Sequence, residues 1–171
     1  MRPLLYLDVD GVLNPVQPVP VDDFAAHELA GYRVWLSARH GEWLAELAEV
    51  YEICWATTWQ DEANRLIAPL LGLGPLPVVR VVGYRRQPGD PRIRLMELIS
   101  GAKWAPLLRY AEGRPFAWVD DVIPPRLVRN SLLRRDRLLL PVDARFGLQR
   151  HHVEQLLARP PRARWGRGGP A

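Results

Sequence analysis

Four carboxylates, arranged in two pairs, are the side chains of this sequence best placed to do chemistry. Asp8 and Asp10 close the apolar run Leu4-Leu5-Tyr6-Leu7, and Asp120 and Asp121 close the run Phe116-Ala117-Trp118-Val119. A single Asp at the end of a strand is commonly a turn or cap residue. Two pairs, each ending an apolar strand, point further: if the strands are neighbours, all four acids converge at one edge of a sheet. At close range like charges raise each other's pKa, so such a group cannot stay fully ionised without a cation. Mg²⁺ answers that need, because it takes oxygen ligands and keeps positions for water and phosphate oxygens. Residues i and i+2 of an extended strand lie on one side, so Asp8 and Asp10 are able to address one reacting group. A turn at Gly11, where a sharp bend suits glycine, would swing Asp10 over Asp8.

Two further positions belong with these acids. The positive charge of the chain is almost entirely arginine, and Lys103 is its single lysine. That isolation marks a place where a compact ammonium is required and a planar guanidinium would not serve. Thr57 ends another apolar segment, Tyr51-Glu52-Ile53-Cys54-Trp55-Ala56, and Thr58 takes its place if the strand runs one residue longer.

The elements that must position these groups follow from hydrophobic patterning. Arg2–Asp10, Tyr51–Thr57, Val78–Val82, Pro115–Asp121 and Arg137–Val142 read as five strands. Helices are expected over Gly41–Val50, Asp61–Leu71, from Lys103 to Tyr110, and over Leu148–Ala158, with a small β element at Tyr32–Leu36. Strands alternating with helices predict an α/β fold: a three-layer Rossmann-like domain, its mainly parallel five-stranded sheet covered by helices on both faces. Ligands bind such sheets beyond the carboxyl ends of the strands, where the polar residues above are found.

In this order the residues resemble the four motifs of the haloacid dehalogenase (HAD) superfamily. Asp8-Val9-Asp10-Gly11-Val12-Leu13-Asn14 is similar to its first motif, Thr57 to the second, Lys103 to the third, and Trp118-Val119-Asp120-Asp121 to the acidic fourth. The resemblance implies a phosphohydrolase in which Asp8 is the covalent nucleophile and Asp10 the acid and base. It also implies that Thr57 binds a phosphoryl oxygen and that Lys103 neutralises charge. Asp8, Asp120, Asp121 and the Asp10 backbone carbonyl would hold Mg²⁺, with one of the paired acids free to orient Lys103 or water instead. Gly11 and Thr58 complete the implied substrate-binding set. An acid at position 10 favours phosphoryl transfer over dehalogenation, since only the former needs that proton shuttle.

The family places specificity caps after the first motif and between the second and third. Val12–Arg39 has room for a short flap, and Gly83–Ser100 for a loop, so no large cap domain is expected. An uncapped site implies a bulky substrate or closure by oligomerisation. The nearer resemblance is to small capless domains of multidomain RNA-repair proteins, which implies a terminal phosphate of RNA or DNA as substrate. Arg80, Arg85, Arg86, Arg92 and Arg94 surround the second gap and are available to a phosphate backbone, with a solvated loop as an equal reading. A small-metabolite phosphatase and a non-catalytic phosphate-binding module are the competing readings.

Composition narrows the class without choosing among these. No apolar run reaches the roughly 18–20 residues that span a bilayer, and the first residues lack a signal-peptide pattern, so a cytoplasmic protein is expected. Cys54 is a lone cysteine and is read as a small core residue. The net charge of +4 resides in residues 159–171, which carry four arginines and no acid. These are expected to form a disordered basic tail behind a domain of residues 1–158. Trp59 and Trp104 flank the proposed site residues and are read as packing beneath the active-site loops, with stacking on a base or sugar as the alternative.

Overall fold

The computed structural model describes residues 1–16, 23–81 and 102–163. In chain order they form β1 (Leu4–Leu7), β2 (Phe24–Leu29), β3 (Tyr32–Ser37), α1 (Ala38–Ala48) and β4 (Glu52–Trp55), then α2 (Trp104–Ala111), β5 (Phe116–Asp120), α3 (Pro125–Ser131), β6 (Arg137–Pro141) and α4 (Arg150–Ala158). Four strands make one parallel sheet in the order β4-β1-β5-β6. Leu7 stands opposite Trp55 on one side and Val119 on the other. The two acid-bearing strands are therefore adjacent.

Strand residues alternate between two buried faces, and this alternation sets the layers. Leu5, Leu7, Ile53, Trp55, Ala117 and Val119 pack with Leu44 and Leu47 of α1 and Val153 and Leu156 of α4. Leu4, Tyr6, Cys54, Phe116 and Trp118 pack with Leu107 and Ala111 of α2, and with Leu127 and Val128 of α3. Both faces of the sheet are thus covered, which is why its strands read as continuous apolar runs. Each Leu or Ile so buried contributes about 1.5–3 kcal/mol. The result is the expected three-layer α/β domain, and the described residues include no cap domain.

Three segments differ from expectation, each for a local reason. The strand expected at Val78–Val82 pairs with β4 only through the Trp55–Val78 bridge, so the sheet has four strands among the described residues. Val81 N–H then donates to Val79 C=O (2.8 Å), an i to i+2 turn that ends the ladder. The helix expected over 61–71 winds into a π turn at Ala63–Ile67 and a 3₁₀ turn at Ala68–Leu71. Pro69, with no N–H to donate, prevents a continuous α-helical ladder there. In the first gap, the single β element is a full hairpin: β2 pairs antiparallel with β3 around Ala30-Gly31, both at positive φ (51° and 82°). Such a two-residue turn ordinarily carries Asn or Gly at its first position, and Ala30 conceals it in the sequence.

Residues 159–163 run back along the domain, with Pro161 buried and Arg162 N–H donating to Arg135 C=O (2.8 Å). The tail from residue 164 onward, the loop Gly83–Ser100 and Arg85, Arg86, Arg92 and Arg94 lie outside the described residues. Among the described residues no helix is long and apolar enough to cross a membrane.

Candidate active site

Asp8 continues the β1 ladder by one residue, its N–H donating to Val119 C=O (3.2 Å). That bond places its side chain beside the end of β5. The backbone then reverses: Gly11 takes φ +73°, and the Val9 carbonyl accepts from the N–H groups of Val12, Leu13 and Asn14 at 3.2, 2.8 and 2.9 Å. The loop after β6 braces this turn through Leu148 N–H to Val12 C=O (2.8 Å). Gly147 lies against the same carbonyl, and a Cβ there would stand 2.3 Å from it.

Lys103, the residue before α2, bridges the two strand ends. Its Nζ donates to Asp8 Oδ2 (2.5 Å) and Asp120 Oδ2 (2.8 Å). All three side chains are withdrawn from water, with relative exposures of 4% for Lys103, 8% for Asp8 and 0% for Asp120. Burial works against the ammonium, yet Asp120 and Asp8 together outweigh it and hold the Lys103 pKa above its ordinary value. Burial raises the Asp120 pKa, with Lys103 opposing and Asp8 adding to the shift.

Asp120 accepts from three donors. Besides Lys103, its Oδ2 accepts from Trp118 Nε1 (3.1 Å), and its Oδ1 accepts from Val122 N–H (2.9 Å). Asp121 is half-buried beside it, and Asp8, Asp120 and Asp121 each place a carboxylate oxygen within 4.8 Å of the others. Among the described residues this cluster sets three acids beside one lysine, and its donors are all hard oxygens. The donor set fits Mg²⁺.

Asp10 stands apart from this trio. Its Oδ1 accepts from Asn14 Nδ2 and its Oδ2 from Trp59 Nε1, both at 3.0 Å. Asn14 Oδ1 in turn accepts from Trp35 N–H of β3 (2.9 Å), and Tyr32 meets the Trp59 ring edge-on at 6.0 Å between centroids. The hairpin is thereby tied to the Asp10 carboxylate. Thr57 follows Ala56, whose N–H donates to Leu7 C=O (2.9 Å) and holds the end of β4 against β1. Thr57 is fully buried, with Oγ1 accepting from Trp59 N–H (3.3 Å), whereas Thr58 is half-buried.

The structure brings together Asp8, Lys103, Asp120 and Asp121, with Asp10 and Thr57 flanking them. Three contributors were not assigned a site role from sequence: Trp118, Trp59 and Asn14. The tryptophans pack as core residues do (Trp118 also stacks on Trp104, 6.1 Å between centroids), so patterning conceals the task of their N–H groups. Asn14 stands four residues after Asp10, a spacing that brings the two side chains together once the chain turns at Gly11. Arg80, the described member of the arginine group, pairs with Asp61 at 2.7 Å.

In comparison with known proteins, residues 4–153 fit the family model described as the HAD domain in Swiss Army Knife RNA repair proteins. No curated protein and no solved structure matches.

Proposed function

The chain belongs to the family of HAD domains in Swiss Army Knife RNA repair proteins, and from this premise we propose that it is a Mg²⁺-dependent phosphohydrolase that removes terminal phosphates from nucleic acids. The observation that carries the reading is the buried Asp8–Lys103–Asp120 arrangement, with Asp121 completing a three-acid cluster. A nucleophilic carboxylate held against an ammonium, beside acids suited to a divalent cation, is what phosphoryl transfer asks for.

In the proposed reaction an Asp8 carboxylate oxygen attacks phosphorus while the bond to the leaving oxygen breaks. Asp10 delivers a proton to that oxygen. Water then attacks the aspartyl-phosphate, Asp10 takes the water proton, and the bond between Asp8 and phosphorus breaks to release phosphate. Lys103 offsets charge between Asp8 and the phosphoryl group, and the Thr57 hydroxyl donates to a phosphoryl oxygen. Asp8, Asp121 and the Asp10 carbonyl are the proposed Mg²⁺ ligands. Asp120, with both oxygens already engaged by Lys103, Trp118 and Val122, is assigned to orienting Lys103 and to contact with the ion through water. When bound, the ion supplies charge neutralisation on the phosphoryl oxygens.

The direct test is phosphate release from a generic aryl phosphate with Mg²⁺ and with EDTA. Turnover that requires the metal is expected; turnover indifferent to EDTA would overturn the reading. Substrate class is tested by comparing a 3′-phosphorylated oligonucleotide with sugar phosphates, and a preference for the sugars would move the assignment to small metabolites.

Trp59 tests the positioning of Asp10. Trp59→Phe keeps an aromatic ring against Tyr32 and removes the N–H that reaches Asp10. A fall in kcat of about tenfold with KM little changed is expected, the scale of one hydrogen bond of about 1.5 kcal/mol to a charged group. Unchanged kcat would release Trp59 from that role.

A further inference from the structure

Away from the acids, along the outer edge of the sheet, the described residues enclose a groove of about 700 Å³ between α3, β6, α4 and the returning segment 159–162. β6 is the last strand on that side. Arg134, Arg135, Arg137, Arg159 and Arg162 line the groove, and among the described residues no acid does. Asp136 engages Arg134 (2.7 Å) and Arg137 (3.4 Å). Arg135, Arg159 and Arg162 are exposed and make no ion pair among the described residues. Three arginines facing one channel without counter-ions repel one another in isolation and gain by receiving an anion.

The direction of the groove ties it to the site. Its wall includes Pro141, which stands opposite Asp120 in the β5–β6 ladder, and it continues along the strand to Arg137 at the other end. Five residues at about 3.3 Å each make it about 16 Å long, enough for a few nucleotides. Arg162 closes the far end, held by its backbone bond to Arg135. A string of phosphates matches this charge pattern, and the Pro141 end of the groove lies one strand from Asp120.

We infer that this groove is the track for the single-stranded RNA whose terminal phosphate occupies the acid cluster, an assignment that rests on the function proposed above. The side chains of Arg135, Arg159 and Arg162 take backbone phosphates there. They read charge and spacing rather than base identity, so binding is insensitive to sequence.

The test is fluorescence anisotropy of a labelled single-stranded RNA with a 3′-phosphate, titrated with the whole chain in EDTA over a range of salt. The variant combines Arg135→Gln, Arg159→Gln and Arg162→Gln, which spare the backbone bond between residues 162 and 135. Losing three phosphate contacts is expected to weaken binding by about tenfold or more at low salt. It should also flatten the slope of log K against log salt by about 2. Turnover of an aryl phosphate with Mg²⁺ is expected to stay at the wild-type level, which shows in the same preparation that the variant is folded. Equal affinity and slope in the two proteins would overturn the inference, as would a wild type that binds no RNA. Competition by polyglutamate as effective as that by RNA of equal charge would also overturn it, in favour of an acidic protein partner. If RNA binding behaves as expected but no phosphate is ever released, the groove stands and the proposed catalysis fails.

Discussion

Asp8→Asn is expected to abolish aryl phosphate turnover, lowering kcat by at least ~10⁴-fold, while leaving the protein as stable as the wild type in the absence of metal. The two halves of this prediction come from one geometry. Asparagine keeps the size and one acceptor oxygen, so Lys103 retains a partner, but an amide does not form the covalent intermediate. Electrostatically the exchange is favourable to the fold. Asp8 and Asp120 share the single ammonium of Lys103, with Asp121 nearby, and Asp8 is among the groups that push the Asp120 pKa up. Removing one negative charge relieves that repulsion and offsets the loss of an acceptor for Val9 N–H. A melting temperature in EDTA equal to that of the wild type, or a few degrees above it, is the expected sign of a site that holds strain for function. Residual turnover within tenfold of wild type would remove Asp8 from the nucleophile's role. A large drop in melting temperature would instead make the Asp8–Lys103 pair a structural contact.

The sequence discloses the reacting groups more fully than it discloses their supports. Asp8, Asp120 and Asp121 are legible because two pairs of acids each end an apolar strand, a coincidence that turns and caps do not account for, and the parallel pairing of β1 with β5 makes them neighbours. Lys103 is legible by its rarity. Trp59 and Trp118 are not, because a large apolar ring satisfies every patterning rule for a core residue, and its one polar atom leaves no periodic trace. Hydrogen bonds from those atoms to Asp10 and Asp120 appear only when the strands are assembled. The same limit explains the fold. Runs buried on both faces announce β1, β4 and β5. The hairpin is hidden by an alanine at positive φ, and α3 by its short length and its opening prolines, Pro124 and Pro125. Val78–Val82 has the β-branched composition of a strand, but composition cannot reveal that Val81 turns back on Val79 and ends the pairing.

Lys103→Met tests the site from the opposite side, because here the largest effect falls on stability. Methionine matches the length and the apolar stem but leaves Asp8 and Asp120 buried without their shared cation. Stranding a buried charge in this way costs about 3–5 kcal/mol, or roughly 6–20 °C in melting temperature for a domain of this size. The pH dependence identifies the cause. In the wild type the Lys103 pKa is raised, so its contribution is complete below the ordinary lysine range and is lost only as pH rises through the folded value. The Asp120 pKa is also raised, and for an acid the sign reverses: stability falls as pH climbs from the ordinary carboxylate range through the folded value. Lys103 restrains that rise in Asp120, so its removal deepens the fall. The variant should therefore melt nearest the wild type in acid, as Asp120 takes up its proton, and furthest from it once pH has climbed past that group's raised folded value. Mg²⁺ near saturation should restore about 2–3 kcal/mol at neutral pH by binding the folded state alone. It should not restore turnover, because the ion does not replace the ammonium that faces the phosphoryl group. A deficit that stayed constant with pH and ignored Mg²⁺ would mean that Lys103 acts through packing alone. The reading of residues 8, 103 and 120 as a charge-balanced reaction centre would then fail.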